Sequence, residues 1–167
     1  MRSSLPVVQS RGRLVLVVAC VAVIVVSSAA ATTATLSPKA VFSARVRAIG
    51  TQAQHALLAL PPVTASSTPT DAAAAAGQLQ AIYQRVAGRM AALTPPKEIA
   101  ADLKILRGSY QAAARYAGAW RDAILHGTAQ QVADASHKLY INPESVRGSN
   151  AMARMSVKGY YFGTFFH

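Results

Sequence analysis

Hydrophobic residues recur with helical spacing through most of this chain. A first pattern runs over residues 42–60 at spacings of four and three, which places its apolar side chains on one helix face. Pro38 suits the first turn of this helix, and the proline pair at 61–62 ends it. Residues 61–70 are small and polar, which is typical of a linker between helices.

Two further amphipathic helices are predicted over residues 70–93 and 96–125. Either Thr70 or Asp71 can cap the first of them, and a Thr-Pro-Pro break separates the two. In the helix over residues 96–125, apolar residues follow a heptad spacing along the whole length, which favours packing in a bundle. Gly127 stands where helices commonly stop.

The pattern then predicts a short fourth helix and a last helical segment over residues 143–158. Thr128 and Gln131 fit a capping box at the start of the fourth helix. Asn142 and the following proline interrupt the helical pattern, so the last segment is either a separate helix or a continuation of the fourth through a kink. The predicted apolar face of the last segment is formed by Val146, Asn150, Ala153 and Val157.

These elements predict an all-α fold, with an N-terminal hydrophobic helix followed by an antiparallel bundle of three to four amphipathic helices. Alanine, the strongest helix former, is the most frequent residue. We assign residues 1–36 to an export signal or membrane anchor, 37–158 to the bundle and 159–167 to an aromatic C-terminal tail. Because alanine buries little area, a partner helix or a second copy of the chain is an expected way to complete the core.

The apolar segment near the N-terminus predicts the compartment. Leu14 to Val26 carries no charge, and small residues follow up to Ala31. Three basic residues precede the segment: Arg2, Arg11 and Arg13. This order is typical of an export signal, whereas the same run extended to Leu36 is long enough to span a bilayer. We therefore predict an envelope protein, either membrane-anchored with its bundle outside or secreted after cleavage.

Two alternatives remain for this segment. Cys20 follows Val-Val-Ala, which resembles a lipidation motif, but the apolar run continues well beyond it. Lys39, Arg45 and Arg47 lie just after the segment and keep a reversed topology open. The mature N-terminus of the protein would distinguish the cleaved, lipidated and retained forms.

Charge is the strongest functional indication. The chain has 17 basic and 6 acidic side chains. Without the three N-terminal arginines, a net charge of +8 remains on the predicted exported part. Such a surface attracts anionic lipid headgroups or anionic cell-wall polymers. The alternative is that these dispersed bases only solubilise the bundle. We interpret Glu98 and Asp102, which share the first turns of the third helix, as ordinary helix-dipole partners.

Other functions have less support. Met152 and Met155 are spaced to face one soft ion such as Cu(I), so binding of copper or a small ligand is the alternative function. No histidine pair or Cys-x-x-Cys-His motif accompanies them, and we expect no cofactor. The six carboxylates form no catalytic motif, so we expect no enzyme activity. Basic residues interleaved with exposed aromatics are lacking, so no specific nucleic-acid partner is expected.

The C-terminal tail gathers aromatic side chains next to Lys158. They are Tyr160, Tyr161, Phe162, Phe165 and Phe166. Aromatic residues beside a base favour the membrane–water interface, so the tail is predicted to fold back onto the bilayer. Packing over the open end of the bundle is the alternative.

Several short motifs resemble those of small exported helical proteins of high-GC Gram-positive bacteria, mostly uncharacterised lipoproteins or signal-peptide proteins. The resemblance covers residues 71–163. The motifs are the Leu93-Thr-Pro-Pro96 break, His126-Gly127, Asn150-Ala-Met-Ala-Arg154, Val157-Lys158-Gly159 and Tyr161-Phe162-Gly163, the last without the cysteine of those proteins. The resemblance implies an envelope location and a helical bundle, with no catalytic residue. From the N-terminal segment and the basic exported part, we predict a binding or structural protein of the cell envelope.

Overall fold

The structure, a computed structural model, describes residues 36–64 and 66–163. This part of the chain forms helices and no strands, which confirms the all-α prediction. The helices are α1 (Pro38–Leu58), α2 (Pro69–Ala91), α3 (Ala100–His126), α4 (Ala129–Tyr140) and α5 (Pro143–Val157), with a 3-10 turn at Lys97–Ile99. The predicted N-terminal segment, with Leu14, Val26, Ala31 and Cys20, lies outside the described residues.

Polar side chains fix where the helices begin. The hydroxyl of Ser37 caps α1 by accepting a hydrogen bond from the amide of Ala40. The expected cap of α2 was wrong, since Thr68 rather than Thr70 or Asp71 holds that position. Pro69 explains the difference, because its fixed φ and missing N–H suit the first helical position and bring the start forward.

The predicted stops and starts after α3 are confirmed. Gly127 ends α3, and an added Cβ there would lie 2.6 Å from the carbonyl oxygen of Ala123. Thr128 and Gln131 form the capping box of α4. The side chain of Asn142 accepts from the Ser145 amide and caps α5, so α4 and α5 are separate helices.

The central helix is α3, which packs against α2, α4 and α5, while α1 packs against α2. The ring of Tyr83 on α2 lies 6.1 Å from that of Tyr110 on α3. The side chain of Gln80 lies against Gly118. Position numbers thus rise along α2 as they fall along α3, so these two neighbours are antiparallel.

The hydrophobic core uses the predicted faces of α1, α2 and α3. Its members are Phe42, Val46, Ile49, Ala53, Ile82, Val86, Met90, Ile99, Leu103, Leu106, Met152, Met155, Tyr160 and Phe162. Because Tyr160 and Phe162 belong to it, the core extends past α5 into the aromatic tail.

Among the described residues, no helix is both long and apolar enough to cross a bilayer.

The predicted face of α5 is wrong. Val146 is 60% exposed and Val157 is 90% exposed, and the other two residues of that face are exposed as well. The buried face is formed by Gly148, Ala151, Met152 and Met155. An added Cβ at Gly148 would lie 2.5 Å from the Oγ of Ser109, so α5 approaches α3 through its glycine and not through its valines.

Candidate functional site

A buried carboxylate, Asp102, is the centre of a group of charges where α3 begins and α5 ends. Arg154 donates from Nε to Oδ1 over 2.7 Å, and Lys158 donates from Nζ to Oδ2 over 2.9 Å. Lys158 also donates to the backbone carbonyl of Glu98 over 2.6 Å. Because each carboxylate oxygen has a cationic donor, Asp102 joins α3 to α5 and is more than a helix-dipole partner.

Glu98 extends this group toward α1. The hydroxyl of Tyr160 donates to its Oε1 over 2.8 Å. The Nζ of Lys39 lies 4.0 Å from the same oxygen and 5.3 Å from the centre of the Tyr160 ring. We call this group the Asp102 cluster; its members are Lys39, Glu98, Asp102, Arg154, Lys158 and Tyr160.

The pKa values in the cluster follow from these contacts. Burial acts to raise the pKa of Asp102, but the hydrogen bonds from Lys158 and Arg154 outweigh it, so the pKa lies below the ordinary 3.8. The hydrogen bond from Tyr160 lowers the pKa of Glu98. Burial and the bond to Glu98 raise the pKa of Tyr160 to about 12. Glu98 and Asp102 are therefore ionised at neutral pH, and the Tyr160 hydroxyl keeps its proton.

The same contacts hold the C-terminal segment against α1. Lys39 donates to the carbonyl of Lys158 over 3.1 Å. The rings of Tyr160 and Phe162 are buried against Phe42, with centroids 6.0 Å and 6.4 Å away. Tyr161 is exposed. Phe165 and Phe166 lie outside the described residues. Tyr160 and Phe162 are therefore core side chains, and of the described tail aromatics only Tyr161 faces solvent.

A second group of basic side chains has no carboxylate partner. Nine bases among the described residues lie farther than 4.0 Å from any described carboxylate: Arg45, Arg47, Arg85, Arg89, Lys97, Lys104, Arg107, Arg115 and Lys138. By contrast, four of the six carboxylates lie within 4.0 Å of a basic side chain. The acidic residues are therefore largely neutralised within the fold, and the excess positive charge lies elsewhere.

Two of these bases line a groove between α2 and α3. Lys104 and Arg107 stand on its α3 side, and the groove has a volume of about 150 Å³. Its other lining residues are uncharged: Met90, Ala91, Leu93, Pro95, Ala100 and Leu103. We call it the α2–α3 groove. The Nε of Arg107 is buried and has no hydrogen-bond partner among the described residues.

Two more bases lie at the opposite edge of the exposed surface of α2. Arg85 and Arg89, one helical turn apart, line a groove of about 50 Å³ between α1 and α2, together with Gln52 and apolar core residues. The strip of α2 between the two grooves is uncharged. We define the basic face as Arg85, Arg89, Lys104 and Arg107. Its sequence signal is the absence of acidic residues between Asp71 and Glu98 and between Asp102 and Asp122.

The described part of the chain brings together no group of three histidine, cysteine or carboxylate side chains able to hold a metal. Met152 and Met155 both lie in the hydrophobic core, 3% and 0% exposed. Their side chains pack there against apolar neighbours, which is the usual role of methionine in a core. Copper binding stays a prediction from sequence.

A larger cavity of about 280 Å³ lies between α3 and the α4–α5 junction, with uncharged walls. Tyr83 and Tyr110 form one side, and burial raises the pKa of both hydroxyls. Ser109 already donates to the carbonyl of Leu106, and Ser145 to that of Asn142. The cavity thus lacks the charge that distinguishes the basic face.

Comparisons with known proteins add no relative. No family model, curated protein or solved structure matches this chain.

Proposed function

We propose that this chain is an exported helical protein of the bacterial cell envelope whose basic face binds anionic phospholipid headgroups. The supporting observation is the division of charge in the bundle. The Asp102 cluster uses its cations internally, whereas Lys104, Arg107, Arg85 and Arg89 have no carboxylate partner. Unpaired bases on an acid-free face attract a negatively charged surface.

The predicted N-terminal segment supports the choice of a lipid partner. A retained anchor would keep the bundle within reach of the membrane, where each base near an anionic leaflet contributes attraction. A cleaved chain would reach the same surface by electrostatic attraction alone. An anionic wall polymer is the competing partner, and the experiment below separates the two.

Lysine footprinting tests the proposal on the full chain. The chain is placed in phosphatidylcholine vesicles with or without phosphatidylglycerol, its lysines are acetylated briefly, and mass spectrometry reads each site. We expect phosphatidylglycerol to protect Lys104 at low salt, with protection lost at high salt because ions screen the attraction. Lys138, an unpaired lysine on α4 outside the basic face, is the internal control and stays reactive.

Two results would overturn this assignment. Equal acetylation of Lys104 with and without phosphatidylglycerol at low salt would contradict binding of the basic face to anionic phospholipid. Protection of Lys104 only after addition of a poly(glycerol phosphate) polymer would instead assign the basic face to a wall polymer.

The envelope location has its own test. The mass of the mature N-terminus in fractionated cells distinguishes cleavage within residues 27–31, lipidation at Cys20 and retention of the whole segment. Intact, unprocessed chain in the cytosolic fraction would contradict export in all three forms.

A further inference from the structure

We propose that the α2–α3 groove is a discrete site for one phosphodiester group of an anionic phospholipid. This inference rests on the proposed function and names the position at which a single headgroup is held. It follows from three features of the groove: an unpartnered donor, two cations and an apolar lining.

The donor is the Nε–H of Arg107. It is buried and meets no acceptor among the described residues. A buried donor without an acceptor costs free energy, so such groups in folded proteins are normally satisfied by water, an ion or a ligand. Arg107 also lines the groove, which makes a ligand bound there a suitable source of the missing acceptor.

The required acceptor is anionic. Lys104 and Arg107 stand one turn apart on α3, and no acidic residue lines the groove. The nearest carboxylate along the helix, Asp102, is two residues from Lys104 and therefore on the opposite side of α3. It is already bound by Arg154 and Lys158. A phosphodiester supplies oxygen acceptors and a charge that the cations do not find within the protein.

The remaining lining favours a lipid over a free phosphate or a hydrophilic polymer. Met90, Leu93 and Leu103 present apolar surface beside the two cations. A phospholipid carries its phosphodiester next to glycerol and acyl carbons, which can cover this apolar surface. Inorganic phosphate has nothing to place there, so it gains the charge contacts without the apolar burial.

Native mass spectrometry of the full chain tests the site. The protein is held in neutral maltoside micelles doped with phosphatidylglycerol, and the number of lipids retained per chain is counted. We expect one phosphatidylglycerol whose retention falls at least about tenfold in the Lys104→Gln/Arg107→Gln variant. Phosphatidylcholine shares the phosphodiester but carries a trimethylammonium group that the two bases repel, so we expect weaker retention.

The matched control is Arg45→Gln/Lys138→Gln, which removes the same two charges from unpaired bases outside the basic face. It should keep the retained lipid. Equal losses in the two double variants would overturn the discrete site while leaving a diffuse attraction to anionic lipid intact. If phosphatidylglycerol vesicles gave no protection of Lys104 from acetylation in the wild-type chain at any salt concentration, the proposed function itself would be overturned.

One further arm addresses the source of the phosphate. Inorganic phosphate that displaces the retained lipid at concentrations equal to those of the lipid would overturn the assignment to phospholipid. Displacement only at much higher concentration supports it. Circular dichroism of each variant checks that the helical fold is retained, since Lys104 is exposed and Arg107 is half-buried.

Discussion

Asp102 and Lys104 stand two residues apart on α3 and illustrate two different uses of charge. Asp102 is 6% exposed, and both of its oxygens accept hydrogen bonds from cations on the segment that ends α5. Lys104 is exposed, lies on the opposite side of the helix and has no carboxylate partner. One side of α3 therefore carries a paired charge that contributes to the fold, and the other carries a base without a carboxylate partner.

The difference shows that net charge alone is a poor guide to function. In a bundle with this excess of bases, the few acidic residues could be spread evenly among the basic ones. Instead the carboxylates at the start of α3 attract Lys39, Arg154 and Lys158, and the bases of the basic face stay unpaired. Such separation concentrates attraction for an anionic partner on one surface.

Removing Asp102 should give the largest loss of stability. In Asp102→Ala, Arg154 and Lys158 lose their shared acceptor, and α5 loses its polar connection to α3. Since both cations are half exposed and regain water, we expect the free energy of unfolding to fall by about 2 to 3 kcal/mol. Urea unfolding followed by circular dichroism measures it. Lys104→Ala is the control and should change the free energy of unfolding by less than about 0.5 kcal/mol. Similar losses in Asp102→Ala and Lys104→Ala would show that the two charges do not differ in their contribution to the fold.

The contact that brings α5 to Asp102 can be broken separately at Gly148. A methyl group there would lie 2.5 Å from the Oγ and 2.9 Å from the Cβ of Ser109. Gly148→Ala should therefore cost about 2 kcal/mol, because α5 must move outward. Gly108→Ala is the control, since its Cβ meets nothing within 4 Å, and it should stabilise α3 by up to about 1 kcal/mol. If both variants behaved alike, close approach at Gly148 would be wrong.

Acid should weaken the Asp102 cluster selectively. The pKa of Asp102 is lower in the fold than its ordinary value of 3.8, so the unfolded chain takes up this proton first as the pH falls. Its contribution is complete well above pH 3.8 and is lost as the pH drops through the folded pKa. Asp102→Asn should thus lose less stability than wild type between pH 5 and pH 2. Parallel unfolding curves for the two proteins would contradict this assignment.

Local sequence rules predicted the helices well because their determinants are local. The capping pair Thr128 and Gln131 acts within one turn, and the Asn142–Pro143 break acts within two residues. The apolar faces of α1, α2 and α3 were also correct, because each of these helices has one dominant apolar stripe. Some boundaries were misplaced: α2 begins at Pro69 because Thr68 caps it, and a 3-10 turn at Lys97–Ile99 precedes α3, which begins at Ala100 instead of Pro96.

The face of α5 and the pairing of charges could not be found in this way. That helix has two candidate faces, and the buried one contains a glycine that no hydrophobic pattern marks. Ser109 on α3 leaves no room for a Cβ at position 148, so the close contact of this face depends on the glycine. Likewise Asp102 and Arg154 are 52 residues apart, so their bond depends on the packing of whole helices. The sequence showed the excess of bases but not which of them lack a carboxylate partner in the fold.

The smallest expected effect on stability is the most direct test of the unpaired side of α3. Arg107→Met keeps an unbranched apolar stem in the groove and removes the buried Nε–H that has no acceptor. Because an unsatisfied buried donor contributes nothing favourable, the free energy of unfolding should stay within about 0.5 kcal/mol of wild type or rise. Arg154→Met makes the same chemical change where the Nε–H is bonded to Asp102 and should destabilise the bundle measurably. Urea unfolding of the two variants compares a base that is bonded within the fold with one that is not. A larger loss of unfolding free energy in Arg107→Met than in Arg154→Met would mean that Arg107 stabilises the fold and is not free to bind a ligand.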